Sequence, residues 1–194
     1  MSRVSTEIRQ EQIIDQAIKI IHQKGYSGLS IRELATQVGI TEPAIYRHFR
    51  SKEDIVLGIL ERMDRFGENL HQEMSRLPDV RSKIRFLIEN HLHFLEKNPE
   101  MTSVIFSEDI FEPRDAIRQK LHQIILKRQE MVKQILVEAQ QQGQLVQVDP
   151  DELTSLILGY VRMVVLEWRW SRFGFPLVQR GHHMNTTIET LIFR

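Results

Sequence analysis

From Thr41 to Lys52 the chain reads Thr-Glu-Pro-Ala-Ile-Tyr-Arg-His-Phe-Arg-Ser-Lys, with hydroxyl, guanidinium, imidazole and ammonium groups recurring along it. Such groups donate hydrogen bonds to phosphate oxygens and to base edges, so the chemistry open to this stretch is contact with a nucleic acid. On a short helix, Glu42, Ala44, Arg47 and His48 would stay exposed, with Tyr46 and Lys52 towards its end. Glu42 is the odd member, because a carboxylate facing phosphates is repelled. It reads first as a favourable acid in a first helical turn, with an acceptor from cytosine N4 as the alternative.

Elsewhere the reactive side chains are scattered. Trp168-Arg169-Trp170 offers two indoles that could cage a cation, but at helical spacing they point roughly 200° apart. One is then expected in the core and the other at an interface or the surface. His91 and His93 project from different helix faces, and His182 and His183 are adjacent. Glu68-x-x-His71 has a metal-compatible spacing but no second copy to complete a carboxylate-bridged pair of metals. The chain has no cysteine, which removes disulfides, thiolate metal ligands and cysteine nucleophiles together. No nucleophile and acid–base pair is legible, so the reading is against an enzyme. It assigns no catalytic residue, no metal ligand and no cofactor.

The elements that must position the 41–52 run are helical. The 194 residues, 41% of them apolar, suffice for one large or two small packed domains. Net charge is zero, which argues against indiscriminate coating of nucleic acid, yet residues 1–52 carry eight Lys/Arg against five Asp/Glu. Any phosphate footprint should therefore lie at the front. Ile13, Ile14, Ala17, Ile18 and Ile21 define a first helix from about Thr6 to Lys24, ended by Gly25. Ser30-Ile31-Arg32-Glu33 forms a capping box opening a short helix through Leu34, Ala35 and Val38, closed by Gly39. Thr41 caps the next short helix, whose Pro43 is tolerated in the first turn. Two short helices joined by a turn and packed on a longer one make a helix-turn-helix at about residues 30–49. Ser51-x-x-Asp54 starts a long helix towards Leu77-Pro78, and longer helices follow, broken near Pro99, Pro113, Gly143 and Gly174. Asp149-Pro150 opens one whose apolar residues run from Leu153 to Trp168. The fold class is all-α.

Met1–Ile14 lacks the apolar run of a signal peptide, and Leu153–Trp170 is interrupted by Arg162, Glu167 and Arg169. A soluble, cytoplasmic chain with no membrane span is expected.

Residues 25–60 resemble the DNA-binding signature of the tetracycline-repressor (TetR) family, most diagnostically in Tyr46-Arg47-His48-Phe49 followed by Ser51-Lys52-Glu53. The resemblance implies a three-helix DNA-binding domain over residues 1–52. It also implies a helical bundle over 53–194 that binds a small effector and dimerises. Tyr46 and His48 match backbone contacts and Lys52 a phosphate contact, while Thr41, Glu42, Pro43, Ala44 and Arg47 lie at the groove-facing end. Ser30 and Arg32 complete the expected DNA-binding set. The implied partners are double-stranded operator DNA, a second copy of the chain, and an effector of hydrophobic or amphipathic character. Candidates to line the effector pocket are Leu95, Met101, Phe106, Phe111, Ile125, Tyr160, Val164 and Trp168, each of which also suits plain core. Surplus apolar surface on the last two helices makes Leu153, Val161, Val178, Ile188, Leu191 and Ile192 the expected dimer surface. Such a dimer would read half-sites roughly 34–36 Å apart, or a multiple of that, in a pseudo-palindrome. Effector would then act by changing the separation of the two reading helices through the long helix after Ser51. Repression is the expected sense.

Overall fold

The computed structural model describes residues 5–107, 110 and 115–194. Among these it is helical, with one isolated antiparallel bridge, Leu145 to Phe193, outside the helices. In chain order the helices are α1 (Thr6–Gly28), α2 (Ile31–Val38), α3 (Glu42–Tyr46), α4 (Lys52–Met74) and α5 (Val80–Lys97). They continue as α6 (Met101–Ile105), α7 (Asp115–Gln141), α8 (Pro150–Trp170) and α9 (Leu177–Ile192). Contacts group the described residues into two compact units, one of residues up to 65 with 100–122, the other of 66–99 with 123–194.

In the first unit α1 packs on α2 and α6. Ile13, Ala17, Ile18 and Ile21 of α1, Leu34 and Ala35 of α2, Ile45 of α3 and Ile55 and Ile59 of α4 are all buried. Gly58 sits where Phe49 and Ile14 approach α4 closely. A Cβ there would lie 3.0 Å from the Phe49 ring and 3.3 Å from Ile14 Cδ1. The first helix is broken at Gly25, as its residue type suggests, with φ 69° and ψ 175°. The chain then resumes a last helical turn to Gly28. Arg62 of α4 ties back to α1 through Glu11 at 3.0 Å and Asp15 at 2.6 Å.

In the second unit α9 packs along α5 and against α8. Ile84, Ile88, Leu92 and Leu95 meet Leu177, Met184 and Ile188 in a common core. Gly181 allows the closest part of that approach, since a Cβ there would be 2.7 Å from Leu92 Cδ1. Glu189 of α9 accepts from Arg81 at 2.7 Å and Arg85 at 2.6 Å, both on α5. Asp149 caps α8 by accepting from the Asp151 and Glu152 amides, with Pro150 in the first turn.

Burial within this unit differs among the residues of the expected dimer surface. Leu153, Val161, Ile188 and Ile192 are buried in the protomer's own core, and Val178 is half-buried. Leu191 alone of the six stands open, at 60% exposed. An apolar stripe on a helix reports burial without saying whose core buries it. The open apolar side chains of α8 are instead Leu156, Met163 and Trp170.

Candidate nucleic-acid interface

The Ser30 hydroxyl accepts from the Glu33 amide at 3.1 Å, starting α2. The reciprocal half of the capping box is absent. The Glu33 carboxylate accepts instead from Lys24 Nζ at 2.9 Å and Gln37 Nε2 at 3.2 Å. Those bonds, with the nearby Lys24 cation, hold its carboxyl below the usual range. An ammonium within reach outcompetes a neutral amide for the same carboxylate. Gly39, at φ 73° and ψ 35°, ends α2 in the left-handed region, and Ile40 N–H reaches back to the Ala35 carbonyl at 3.0 Å. That geometry turns the chain sharply into α3.

Thr41 occupies the cap position of α3 through its carbonyl, which accepts from Ala44 N–H at 2.9 Å. Its hydroxyl makes no capping bond. Ile45 and Phe49 anchor the segment in the core, and the opposite side carries Thr41, Glu42, Pro43, Tyr46 and Arg47, all exposed. Tyr46 is 53% exposed, an open phenol at the end of the helix. Ala44 is half-buried. Ser30 and Arg32 are exposed at the start of α2.

His48 is half-buried, and its Nδ1 is buried without a hydrogen-bond partner among the described residues. Burial first, then the Arg9 and Arg47 cations, hold its pKa below the ordinary value. Lys52, at the start of α4, is ordered before any ligand arrives. Its Nζ donates to the Tyr26 carbonyl at 2.5 Å and lies 3.7 Å from the centre of the Tyr26 ring. The α4 start is itself doubly bonded. Ser51 Oγ accepts from Asp54 N–H at 3.1 Å, and Asp54 Oδ2 accepts from Arg50 N–H at 2.8 Å. The residues from Thr41 to Lys52 thus present hydroxyl, phenol, guanidinium and ammonium groups on a segment anchored by Ile45 and Phe49. The arrangement can hold phosphates and reach into a groove.

Residues 13–59 match the family model for bacterial regulatory proteins of the TetR family, and residues 59–192 match that for the C-terminal region of YsiA-like proteins. The second match spans more than half of the chain. The chain belongs to the TetR family. Among its TetR-family relatives, the fatty acid metabolism regulator protein of Bacillus subtilis (strain 168) is 25% identical over 183 residues, covering 93% of this chain and 92% of that protein. The nucleoid occlusion factor SlmA of Vibrio cholerae is 28% identical over 159 residues, covering 79% of this chain and 80% of that one. The crystal structure of FadR from Bacillus subtilis in complex with stearoyl-CoA shares the fold, with TM-score 0.81 at 24% identity, covering 92% and 96% of the two chains. The TetR-family chain is accordingly an all-helical transcriptional regulator, and none of its described helices is long and apolar enough to cross a membrane.

The expected effector-lining residues of this TetR-family chain are divided between the two units. Met101 and Phe106 lie in the first unit, whereas Leu95, Tyr160, Val164 and Trp168 lie in the second. Phe111 lies outside the described residues. Ile125 is 43% exposed on α7, while its neighbour Ile124 is buried. Trp168 is buried and Trp170 is 70% exposed, in line with their opposed directions. Trp168 also lines an open cavity of about 460 Å³, together with Glu96, Pro99, Phe173, Gly174, Phe175 and Pro176. The sequence signalled this place only as a chain break at Gly174-Phe175-Pro176. Glu96, far away along the chain, gave no sign of joining it.

Proposed function

We propose that the chain is a homodimeric, cytoplasmic repressor that binds a pseudo-palindromic operator and is released by an amphipathic effector. In this reading residues 1–52 hold the DNA and residues 53–194 bind effector and dimerise. The observation that carries it is the exposed face of α3, where Tyr46 stands open beside Thr41, Glu42, Pro43 and Arg47. Arg47 and Tyr46 supply groove and backbone contacts, and Lys52 holds a phosphate with the positive end of the α4 dipole behind it. His48 and Ala44 flank that face, and Ser30 and Arg32 reach the backbone from the start of α2.

The test is selection of binding sites from random duplex DNA, followed by titration of the best site across a salt series. Tyr46→Ala should lose affinity. Lys52→Ala should lose affinity and flatten the salt slope by about one. If no palindromic site enriches, or both variants bind like the wild type, the operator reading fails.

The effector class draws on the relatives. The Bacillus subtilis FadR structure holds stearoyl-CoA, which supports a long-chain acyl thioester as the first effector to try. Leu95, Tyr160, Val164 and Trp168 are the candidates to meet its chain. Stearoyl-CoA should weaken operator binding where free coenzyme A does not, and operator should weaken stearoyl-CoA binding by the same factor. An operator affinity indifferent to the thioester at matched salt rejects that effector.

A further inference from the structure

The turn between α8 and α9 is built against backbone preference. Arg172 at φ 54° and Phe173 at φ 62° are consecutive non-glycine residues in the left-handed region, while a glycine stands unused for that purpose at 174. A β-bearing side chain resists that conformation, and an aromatic one strongly so. The strain is held in place by Phe173 N–H donating to the Trp168 carbonyl at 2.7 Å and by the Trp168 indole N–H donating to the Phe175 carbonyl at 2.9 Å. Its effect is to bring the Phe173 ring edge-on to Trp168, with centroids 4.7 Å apart, and to put Phe173, Phe175 and Trp168 around one cavity.

We propose that this cavity binds a small organic cation, an alkylammonium group, with Glu96 as its counter-charge and Trp168, Phe173 and Phe175 as its aromatic walls. Aromatic faces attract a cation and offer an anion nothing. Glu96 is the one charged side chain among the described lining residues. Its Oε1 accepts from the Val178 amide at 3.2 Å, and a carboxylate has further acceptor positions. A neutral apolar guest would strip water from that carboxylate without replacing it. The volume of about 460 Å³ is ample for a head group of this kind. The competing account is that Glu96 serves only to cap α9, whose own N-cap residue, Pro176, makes no side-chain bond. Charge separates the two accounts, since Gln at position 96 keeps an oxygen for the Val178 amide and loses the counter-charge.

This assignment is independent of the operator and needs no acyl effector, although Trp168 is a candidate for both sites. Its test is titration of the full chain with tetramethylammonium chloride, with sodium chloride holding ionic strength constant and tert-butanol as the uncharged guest of similar size. In a Trp170→Phe background, indole fluorescence reports Trp168 alone. A saturable change with tetramethylammonium and none with tert-butanol over the same range is expected. Glu96→Gln should weaken it roughly tenfold or more, and Phe173→Leu should weaken it as well. Calorimetry on the unsubstituted chain must give the same ranking of guests, which guards against a background variant that folds poorly. Equal responses to the two guests, no saturable heat with the cation, or undiminished binding by Glu96→Gln would each overturn the proposal.

Discussion

Desolvation lowers the pKa of the imidazoles of both His48 and His91. Burial, with the Arg128 cation second, pushes His91 from 6.5 down to about 4. The unfolded chain takes up that proton near the ordinary histidine value, so between about pH 6.5 and 4 it binds more protons than the folded chain. The contribution of His91 is therefore complete above pH 6.5 and is lost as pH falls towards 4. Urea midpoints should show about 2 kcal/mol less stability at pH 5 than at pH 7.5 from this residue alone. His91→Gln should flatten the acid limb by that amount, and an unchanged limb would place the acid sensitivity elsewhere. The residues of the 41–52 run were legible in the sequence because their signal is local: caps, a proline in a first turn, and polar groups at fixed offsets. The partner of Glu33 was not, since the backbone pattern of a capping box says nothing about an ammonium arriving from Lys24 on another helix. Glu96 was invisible for the same reason, its site being completed by residues more than seventy positions later.

At the scale of elements, the two short helices depend on two glycines in different ways. Gly39 needs its left-handed φ of 73° and has open space where a Cβ would go. Gly39→Ala should thus cost about 1 kcal/mol through backbone conformation alone, and Gly39→Asn less, by thermal or urea unfolding. Gly58 is the reverse: an ordinary helical residue with Phe49 and Ile14 pressed against it. Gly58→Ala should cost about 1–3 kcal/mol by overpacking, and Phe49→Leu in the same chain should recover part of it. Independent additivity of those two substitutions would show that the contact is not the cause. Helix existence and most boundaries were readable because periodicity and caps are properties of a short window. The side of a helix that faces outward was not. Leu153 and Leu156 are the same residue type on one helix, and only packing decides that the first is buried and the second open.

For the molecule as a whole, Leu156, Met163 and Trp170 recur every seven residues along α8 and are 51%, 49% and 70% exposed. A seam of that period suits a second helix lying alongside, and Leu191 adds an open apolar group on α9. Leu156→Glu with Met163→Glu should yield monomers by sedimentation equilibrium while leaving helical content intact, and should lower operator affinity sharply. A double variant that stays dimeric would move the interface off this face. Lys52 gives such a dimer a thermodynamic character of its own. A lysine ordinarily surrenders up to about 2 kcal/mol of rotamer freedom when it meets an anion. Here the ammonium is already fastened to the Tyr26 carbonyl and ring, so that freedom is given up on folding, and in a dimer the entropic saving on docking to phosphate counts twice.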